Sequence, residues 1–492
     1  MPRSLVFAAA LALALPAAAQ AQPRAQDSAA VRQHYVKLDR RIRMRDGVQL
    51  YTVIYVPRDA AAATPYPILM TRTPYSAGPY GENHYRSSGP GPSRELSAEQ
   101  YIFVYQDVRG RYLSEGQFEE MTPATTTYPD KQAVFKSGID ESTDTFDTIE
   151  WLLKNVPNNN GRVGMLGISY PGFYASAALP NAHPALKAVS PQAPVTDEFI
   201  GDDARHKGAF FLLDNFEFTN DFDVPRPRPV VSYEPLFKFE TKDAYQFFLA
   251  LGPLKNANKP QYFNHRARIW NEYMQHETYD AYWQSRNIRP ALTGVKPAVL
   301  VVGGWFDAED LYGALNTYQA IEKQNPGIPN RLVMGPWTHG AWARADWSKF
   351  GPLSFGSNTA EYYRQNLETP FFNFYLKDKG SFNPAEATVF NTGTNEWKTY
   401  PAWPTAPAET KTMYLQPGKT LAFTAPAASG KPTEYLSDPA NPVPYTAGIG
   451  TGRNNEYMIE DQRFAAQRPD VLVFQTEPLA EDLTVAGALG AD

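Results

Sequence analysis

The feature of this sequence that most constrains its fold is a series of short apolar segments separated by stretches with helical spacing. The strand-like segments are rich in β-branched and aromatic residues and are bounded by turn formers, and they are residues 47–56, 66–73, 101–107, 163–168, 186–190, 298–302 and 331–334. One helical pattern begins at Ser142 and ends before Pro157, and another covers residues 171–179. Buried strands that alternate with helices are typical of a mostly parallel sheet covered on both faces. The sequence therefore predicts an α/β fold.

Two regions depart from this alternation. Residues 201–296 are rich in aromatic and charged residues at helical spacing, with few strand-like runs, which indicates a mainly helical insertion over the sheet. Beyond residue 384 the chain changes to short strand-like segments between Pro- and Gly-rich turns, at residues 388–391, 397–400, 412–415 and 471–476. We therefore predict a polar N-terminal arm at residues 22–35 and an α/β core in two parts, at 36–200 and 297–384. A helical cap at 201–296 lies between the two parts, and an all-β domain follows at 385–492.

The first residues have the pattern of a secretory signal peptide. Arg3 precedes an apolar stretch from Leu5 to Leu15, and Ala19 and Ala21 form a small-residue cleavage pattern. A membrane-spanning helix needs about 20 apolar residues, more than this stretch contains. We therefore expect residues 1–21 to be removed by cleavage after Ala21, and the mature protein to be periplasmic or secreted, without a membrane span.

Composition excludes several classes of function. The 492 residues contain no Cys, which excludes disulfide scaffolds, thiol nucleophiles and thiolate metal sites. The 46 basic and 52 acidic residues include no long basic run, so nucleic acid is not an expected partner. No His pair has the spacing of a zinc site, and we expect neither a metal nor another cofactor. The acidic stretch from Asp214 to Asp223 is interpreted as a solvated loop rather than a calcium site.

A turn at residues 167–172 places a serine where a strand meets a helix. Ser169 lies between Gly167 and Gly172, and such a turn exposes a hydroxyl group at the N-terminus of the helix. The common spacing is G-x-S-x-G, whereas here Pro171 occupies the position of the second glycine and Gly172 follows it. Gly and Ser at this kind of position can also serve only as turn residues and a helix cap. Ser169 is therefore a candidate nucleophile that needs partners.

A serine nucleophile needs a base to accept its proton and an acid to orient that base, and the usual chain order after such a turn is Ser, Asp or Glu, His. Of the seven His residues, only His339 follows Ser169 and lies just beyond a predicted core strand. Asp307 follows the strand at 298–302, and His339 is the only His after it. Asp307 alone can equally be a cap for the helix that follows. The required order at three strand ends favours a Ser169, Asp307, His339 triad.

Five motifs near predicted strand ends are distinctive when taken together. They are TRTPY at 71–75, DVRGRY at 107–112, GISYPG at 167–172, GGWFDAEDLYG at 303–313 and GPWTH at 335–339. Together they resemble the α-amino acid ester hydrolases, which form one serine hydrolase group with cocaine esterase, glutaryl cephalosporin acylases and Xaa-Pro dipeptidyl-peptidases. The resemblance extends from about Val36 to the last residue.

This resemblance implies an α/β-hydrolase core with an inserted helical cap, followed by a C-terminal jelly-roll β domain. Residues 474–485 resemble only an early strand region of that jelly roll. We therefore expect residues 385–492 to be a truncated β domain with exposed sheet edges. The resemblance also allows a homotetramer.

The resemblance also implies a role for each matching residue. Ser169 matches the nucleophile, His339 the general base and Asp307 the acid that orients it. The backbone N–H of Tyr170 and the phenol of Tyr75 match the donors of an oxyanion hole. Without the resemblance, Tyr75 is better explained as an aromatic residue that packs at a strand end.

Three acidic residues match a group that binds the substrate ammonium in α-amino acid ester hydrolases: Asp203, Glu309 and Asp310. Glu309 and Asp310 alone can be explained as acids at a helix start. Grouped carboxylates repel one another, so a cation that relieves the repulsion is bound selectively. We expect hydrolysis of α-amino acid esters and of β-lactams with an α-amino acyl side chain, together with acyl transfer to amines. The alternatives are a carboxylesterase, or a glutaryl or cocaine esterase-like acylase, without amino selectivity, and a non-catalytic exported ligand-binding protein.

Overall fold

A computed structural model of the chain describes residues 24–125, 138–405, 409–427 and 431–490. The predicted signal peptide, residues 1–21, lies outside the described residues. Within these ranges, no helix has both the length and the apolar character needed to cross a bilayer.

The strands of the described residues are, in chain order, β1 (Tyr35–Arg43), β2 (Gln49–Pro57), β3 (Tyr66–Thr73), β4 (Ile102–Asp107), β5 (Asn159–Ser169), β6 (Leu186–Pro194), β7 (Arg205–His206), β8 (Ala209–Phe210), β9 (Ala298–Gly304), β10 (Asn330–Gly335), β11 (Lys349–Phe350), β12 (Leu353–Ser354), β13 (Ala387–Asn391), β14 (Glu396–Tyr400), β15 (Tyr414–Gln416) and β16 (Thr420–Ala422). The α-helices are α1 (Arg24–His34), α2 (Arg94–Glu99), α3 (Glu141–Asn155), α4 (Tyr170–Ala177), α5 (Leu212–Phe222), α6 (Ala244–Leu251), α7 (Arg268–Gln275), α8 (Ala281–Arg286), α9 (Leu311–Gln324), α10 (Thr359–Tyr363), α11 (Thr369–Lys377) and α12 (Arg463–Ala466).

One sheet organises the molecule, in the order β1-β2-β4-β3-β5-β6-β9-β10-β13-β14. From β4 to β13 neighbouring strands are parallel, whereas β1, β2 and β14 add antiparallel strands at the two ends of the sheet. The carboxyl ends of the parallel strands therefore meet along one edge, which is where such sheets bind ligands. The α/β class predicted from the sequence is confirmed.

Helices cover both faces of this sheet. On one face, α3, α4 and α9 bury Ile149, Phe173 and Ile321 against strand residues. On the other face, α2 and α11 bury Leu96 and Phe372. Full burial of a side chain of this size contributes about 1.5–3 kcal/mol. These layers hold the strand ends in place, and with them the residues that follow each strand.

The sequence pattern does not predict β1. Its sequence is dominated by charged residues, yet it pairs along its whole length with β2. Lys37 is only 2% exposed, because its ammonium group pairs with Asp39 at 2.9 Å and donates to the carbonyl oxygens of Pro79 and Gly81. Ion pairing thus buries a charged side chain in a strand in which five of the nine residues are charged, and α1 forms most of the predicted polar arm.

Strands β13 and β14 differ from their expected place. The sequence assigns both to a separate β domain from residue 385, but β13 pairs in parallel with β10, and β14 continues the same sheet. The reason is burial: Ala387, Thr388, Val389 and Phe390 are all buried, as in the other core strands. Sheet pairing with the core therefore extends to Tyr400.

The insertion between β6 and β9 contains the β7–β8 hairpin and helices α5 to α8. It has an apolar centre of its own, in which Phe216 packs on Phe263 with ring centroids 4.8 Å apart. The prediction of a solvated loop from Asp214 to Asp223 is wrong, because α5 covers most of this stretch and buries Phe216 and Phe222. The acidic residues of this stretch conceal its apolar face, because Phe216 and Phe222 come to one side only in a helix.

We call residues 409–490 the C-terminal segment. Of its described residues, 409–427 and 431–490, few form regular structure: the β15–β16 hairpin, α12 and one short 3₁₀ turn. The predicted strand at 471–476 is extended chain, in which Gln475 forms a single bridge to Thr420. The segment crosses the helical insertion, where the Ala244 N–H donates to the Gly450 carbonyl oxygen at 2.9 Å.

Candidate active site

Ser169 ends β5 and directly precedes α4. Its backbone has φ 67° and ψ −129°, a conformation that costs a residue with a side chain about 1–3 kcal/mol. Its side chain is partly exposed at the edge where the parallel strands end. A strained strand-to-helix turn that presents a hydroxyl group is the geometry of a nucleophile elbow.

Gly167 and Gly172 permit the close packing of this turn. A Cβ on Gly167 would lie 2.2 Å from the carbonyl oxygen of Pro171, and one on Gly172 would lie 2.6 Å from that of Gln192. Neither distance is tolerated between non-bonded atoms. Gly172 therefore allows α4 to pack on β6, although it stands one position later than in the common motif.

Asp307 and His339 form a hydrogen-bonded pair beyond two neighbouring strands. His339 Nδ1 lies 2.8 Å from Asp307 Oδ2, and Asp307 follows β9 while His339 follows β10. The other oxygen of Asp307 accepts the backbone N–H groups of Glu309 and Asp310. Asp307 therefore both caps the turn before α9 and orients the imidazole, so the two interpretations of this residue hold together.

The charges around His339 change the pKa of both partners. Burial alone would lower the pKa of His339, but the carboxylates of Asp307 and Glu309 outweigh it and raise the pKa to about 9. Burial alone would raise the pKa of Asp307, but the His339 charge and its hydrogen bonds hold it below the usual value. The pair is thus an imidazolium and a carboxylate at neutral pH.

Nε2 of His339 faces the acidic residues rather than a hydrogen-bond partner. It lies 3.7 Å from Glu309 Oε2 and 3.9 Å from Asp310 Oδ2. Among the described residues, Ser169 Oγ makes no hydrogen bond to this nitrogen within 3.5 Å. Such catalytic contacts are often long in the absence of substrate and tighten when it binds.

We call Asp203, Glu309 and Asp310 the acidic cluster. The backbone N–H of Asp203 donates to the carbonyl oxygen of Glu309 at 3.4 Å, which joins the entry of the insertion to the loop after β9. Asp202 fixes this junction, because its carboxylate accepts the backbone N–H groups of Thr196 and Gly313. The structure thus brings Asp203 to Glu309 and Asp310, which lie more than a hundred positions later in the sequence.

Asp310 is the most unusual member of the cluster. It is fully buried, and neither carboxylate oxygen has a hydrogen-bond partner in the described part of the chain. It occupies the N-cap position of α9, but its side chain makes no capping bond. Burial and then the charge of Asp203 raise its pKa well above the usual value, and burial and then the charge of Glu309 do the same for Asp203. The cluster therefore contains one buried carboxylate, that of Asp310, without a hydrogen-bond donor among the described residues.

Two residues near the cluster are missed by sequence reasoning. Arg453, in the C-terminal segment, forms ion pairs with Glu309 and, at 3.4 Å, with Asp214 on α5. Burial and the charge of Asp203 raise the pKa of Glu198 to about 8, and Tyr273 donates a hydrogen bond to it at 3.0 Å. No local pattern distinguishes either residue, because only packing brings them to the site.

Tyr75 and Tyr170 lie beside one another near Ser169. Tyr75 follows β3 and is 43% exposed, and its ring meets that of Tyr170 edge to face with centroids 6.4 Å apart. Tyr170 is the first residue of α4, so its backbone N–H has no partner within the helix. Both can donate to a group bound beside Ser169.

The family model of the X-Pro dipeptidyl-peptidase (S15 family) matches residues 46–341, and that of the X-Pro dipeptidyl-peptidase C-terminal non-catalytic domain matches residues 382–492. The chain belongs to the S15 family.

Its relatives in this family include proteins of several activities. Cocaine esterase from Rhodococcus sp. (strain MB1 Bresler) is 28% identical over 473 residues, which are 91% of this chain and 75% of that protein. Among solved structures, an aminopeptidase from a marine sediment archaeon (Thaumarchaeota archaeon) is 35% identical with a TM-score of 0.81, covering 91% of this chain and 73% of that one. An α-amino acid ester hydrolase is also 35% identical, with a TM-score of 0.81, covering 92% and 74%.

Membership of the S15 family confirms the serine hydrolase group that the sequence motifs predict. It identifies this chain as a serine hydrolase, and the interpretation as a non-catalytic ligand-binding protein has no support. The S15 C-terminal domain begins at residue 382 by sequence, so β13 and β14 belong to that domain by sequence while they pair with the core sheet. Arg453 also belongs to this domain, although the domain is described as non-catalytic.

Proposed function

We propose that this S15 hydrolase cleaves α-amino acid esters. We propose that it also cleaves the α-amino acyl side chain from β-lactams that carry one. The acyl group passes through an ester on Ser169 and then to water or an amine. Within the acidic cluster, Asp203 and Asp310 bind the α-ammonium group of the substrate, while Glu309 pairs with Arg453. Small-molecule esters and β-lactams are thus its proposed substrates.

The observation that carries this proposal is the buried Asp310 carboxylate, which has no hydrogen-bond partner among the described residues and lies 3.9 Å from His339 Nε2. Leaving a buried polar group without a hydrogen-bond partner costs folding free energy of about 1–3 kcal/mol, so such a group is retained where a ligand supplies the partner. An ammonium ion offers three donors and one positive charge. The names of the 35% identical aminopeptidase and α-amino acid ester hydrolase support the same substrate class.

The substrate ammonium also prepares His339 for its role. In the free enzyme the nearby carboxylates keep His339 protonated, with a pKa of about 9. A cation bound between Asp203 and Asp310 offsets these charges and lowers the pKa of His339. Binding of the correct substrate therefore favours the neutral imidazole that can accept the proton of Ser169.

The chemical steps follow from the positions of these groups. Ser169 Oγ attacks the acyl carbonyl carbon while His339 Nε2 accepts its proton, and Asp307 stabilises the resulting imidazolium. The oxygen that becomes negative accepts hydrogen bonds from Tyr75 and the Tyr170 backbone N–H, each worth about 3 kcal/mol in such sites. His339 returns the proton to the leaving group. Water or an amine, deprotonated in turn by His339, then releases the acyl group.

Paired substrates test the proposal. For phenylalanine methyl ester against its des-amino analogue, 3-phenylpropanoic acid methyl ester, we expect a preference in kcat/KM of about 10- to 100-fold, the worth of a charge-assisted contact. Asp203→Asn is expected to remove most of this preference. Asp221→Asn, which removes an exposed carboxylate from the same insertion, is the matched control. If the two esters have equal kcat/KM values and Asp203→Asn leaves them unchanged, the proposal is wrong and the protein is a carboxylesterase without amino selectivity.

A further inference from the structure

Arg453 is the one residue of the C-terminal segment that forms an ion pair with the acidic cluster in the described residues. Its guanidinium group pairs with Glu309 Oε1 and lies 3.4 Å from Asp214 Oδ2. The side chain is 23% exposed. The hydrogen bond between Ala244 and Gly450 holds this part of the chain on the helical insertion. A peripheral segment thus contributes a fixed cation to the site.

The ion pairs of Arg453 divide the negative charge of the site into two parts. Glu309 and Asp214 already face a guanidinium, whereas Asp310 has no hydrogen-bond partner in the described part of the chain. Arginine remains charged at every pH at which the protein is folded. The cluster carboxylates that Arg453 leaves for a substrate cation are therefore those of Asp203 and Asp310.

We infer that Arg453 is a specificity-determining residue, whose guanidinium occupies the place at Glu309 and Asp214 that a second substrate cation would take. This inference rests on the proposed function, since it assumes that the α-ammonium binds at Asp203 and Asp310. Like charges in a partly buried site repel one another strongly. The site should therefore select acyl groups with a neutral side chain and reject those of lysine or ornithine.

The experiment compares two esters that differ by one charge. Norleucine methyl ester and lysine methyl ester both carry an α-ammonium, and the lysine side chain adds a terminal ammonium. We measure the ratio of kcat/KM for the lysine ester to that for the norleucine ester. In Arg453→Met this ratio is expected to rise about tenfold, the change that corresponds to about 1.4 kcal/mol.

Three further variants separate charge from structure. Arg453→Lys keeps the charge and is expected to keep the wild-type ratio. Arg463→Met removes an 87% exposed guanidinium, paired with Asp461, from the same segment and should also keep it. Arg453→Gln also removes the charge but keeps a polar side chain, and the same rise in the ratio is expected. It replaces Arg453→Met if that variant has a lowered melting temperature.

Two results would overturn the inference: an unchanged or lower ratio in Arg453→Met and Arg453→Gln, or an equal rise in Arg453→Lys. Hexanoic acid methyl ester, the des-amino analogue of norleucine methyl ester, distinguishes this failure from that of the proposed function. If wild-type enzyme prefers norleucine methyl ester to this analogue, the ammonium site stands and only the role of Arg453 fails. If it shows no preference, the proposed function itself is wrong.

Discussion

The proposed catalytic triad and the acidic cluster both contact His339, but their carboxylates differ in how fully they are hydrogen-bonded. In the triad, both oxygens of Asp307 are satisfied, one by His339 and one by two backbone N–H groups. In the cluster, the equally buried Asp310 has no hydrogen-bond partner among the described residues. Under the proposed function, a carboxylate that acts on every substrate is fully hydrogen-bonded, whereas one that binds a particular substrate group is left for that group to satisfy.

The two regions also differ in where their residues come from. Ser169, Asp307 and His339 each follow a strand of one rigid sheet. The cluster draws Asp203 from the entry of the insertion, and its fixed cation, Arg453, from the C-terminal segment. In the proposed function the core therefore provides the reacting groups, and the elements packed around it provide the groups that select the substrate.

The largest loss of kcat should come from a substitution in the triad and should be the same for both kinds of ester. Ser169→Ala is expected to lower kcat for α-amino and des-amino esters alike by about 10⁴-fold or more, and to abolish labelling by a fluorophosphonate probe. Ser176→Ala is the control, because it removes a buried hydroxyl group, without a hydrogen-bond partner among the described residues, from the helix that follows Ser169. Residual labelling in Ser169→Ala would show that another residue is the nucleophile.

The pH dependence tests the contact between the two regions. His339 must be neutral to accept a proton, and its pKa is raised to about 9, so kcat/KM for an uncharged ester should rise with pH and reach half its plateau near pH 9. Glu309→Gln removes one of the charges that raise this pKa and should shift the midpoint to lower pH. Rates of Ser169→Ala provide the background of spontaneous hydrolysis. A wild-type midpoint near 6.5, or one that Glu309→Gln leaves unmoved, would contradict this coupling.

The smallest effect concerns stability, where the two regions should respond with opposite signs. The pKa of Asp310 is raised in the folded protein, so its ionisation costs stability as the pH rises above its unfolded value of about 3.9. Asp310→Asn should therefore raise the free energy of unfolding at pH 8, on the order of 1 kcal/mol, and change it little at pH 4.

The pKa of Asp307 is lowered instead, so its contribution to stability is present above about pH 3.9 and lost as the pH falls through its folded value. Asp307→Asn should accordingly destabilise the protein at pH 8. Urea unfolding of both variants at the two pH values checks the signs. A loss of stability at pH 8 in Asp310→Asn would mean that its carboxylate is satisfied after all.

Much of the core can be predicted from local patterns. The strand predicted at 66–73 matches β3, and Asp307 and His339 follow β9 and β10 as the sequence places them. The errors share one cause. Strand β1 is charged and α5 is acidic, so composition conceals a buried face that becomes evident only when the partner strand or helix is present. Strand β13 is predicted at 388–391, and only its pairing with the core sheet requires the tertiary structure.

The sequence by itself determined the α/β class and the order of Ser169, Asp307 and His339, because apolar periodicity and turn chemistry depend on near neighbours, and parallel strands end at one edge. Only the tertiary structure decided that Asp310 lacks a hydrogen-bond partner among the described residues and that Arg453 pairs with Glu309 across 144 positions. Such a contact depends on how distant segments pack, and no spacing in the chain records it.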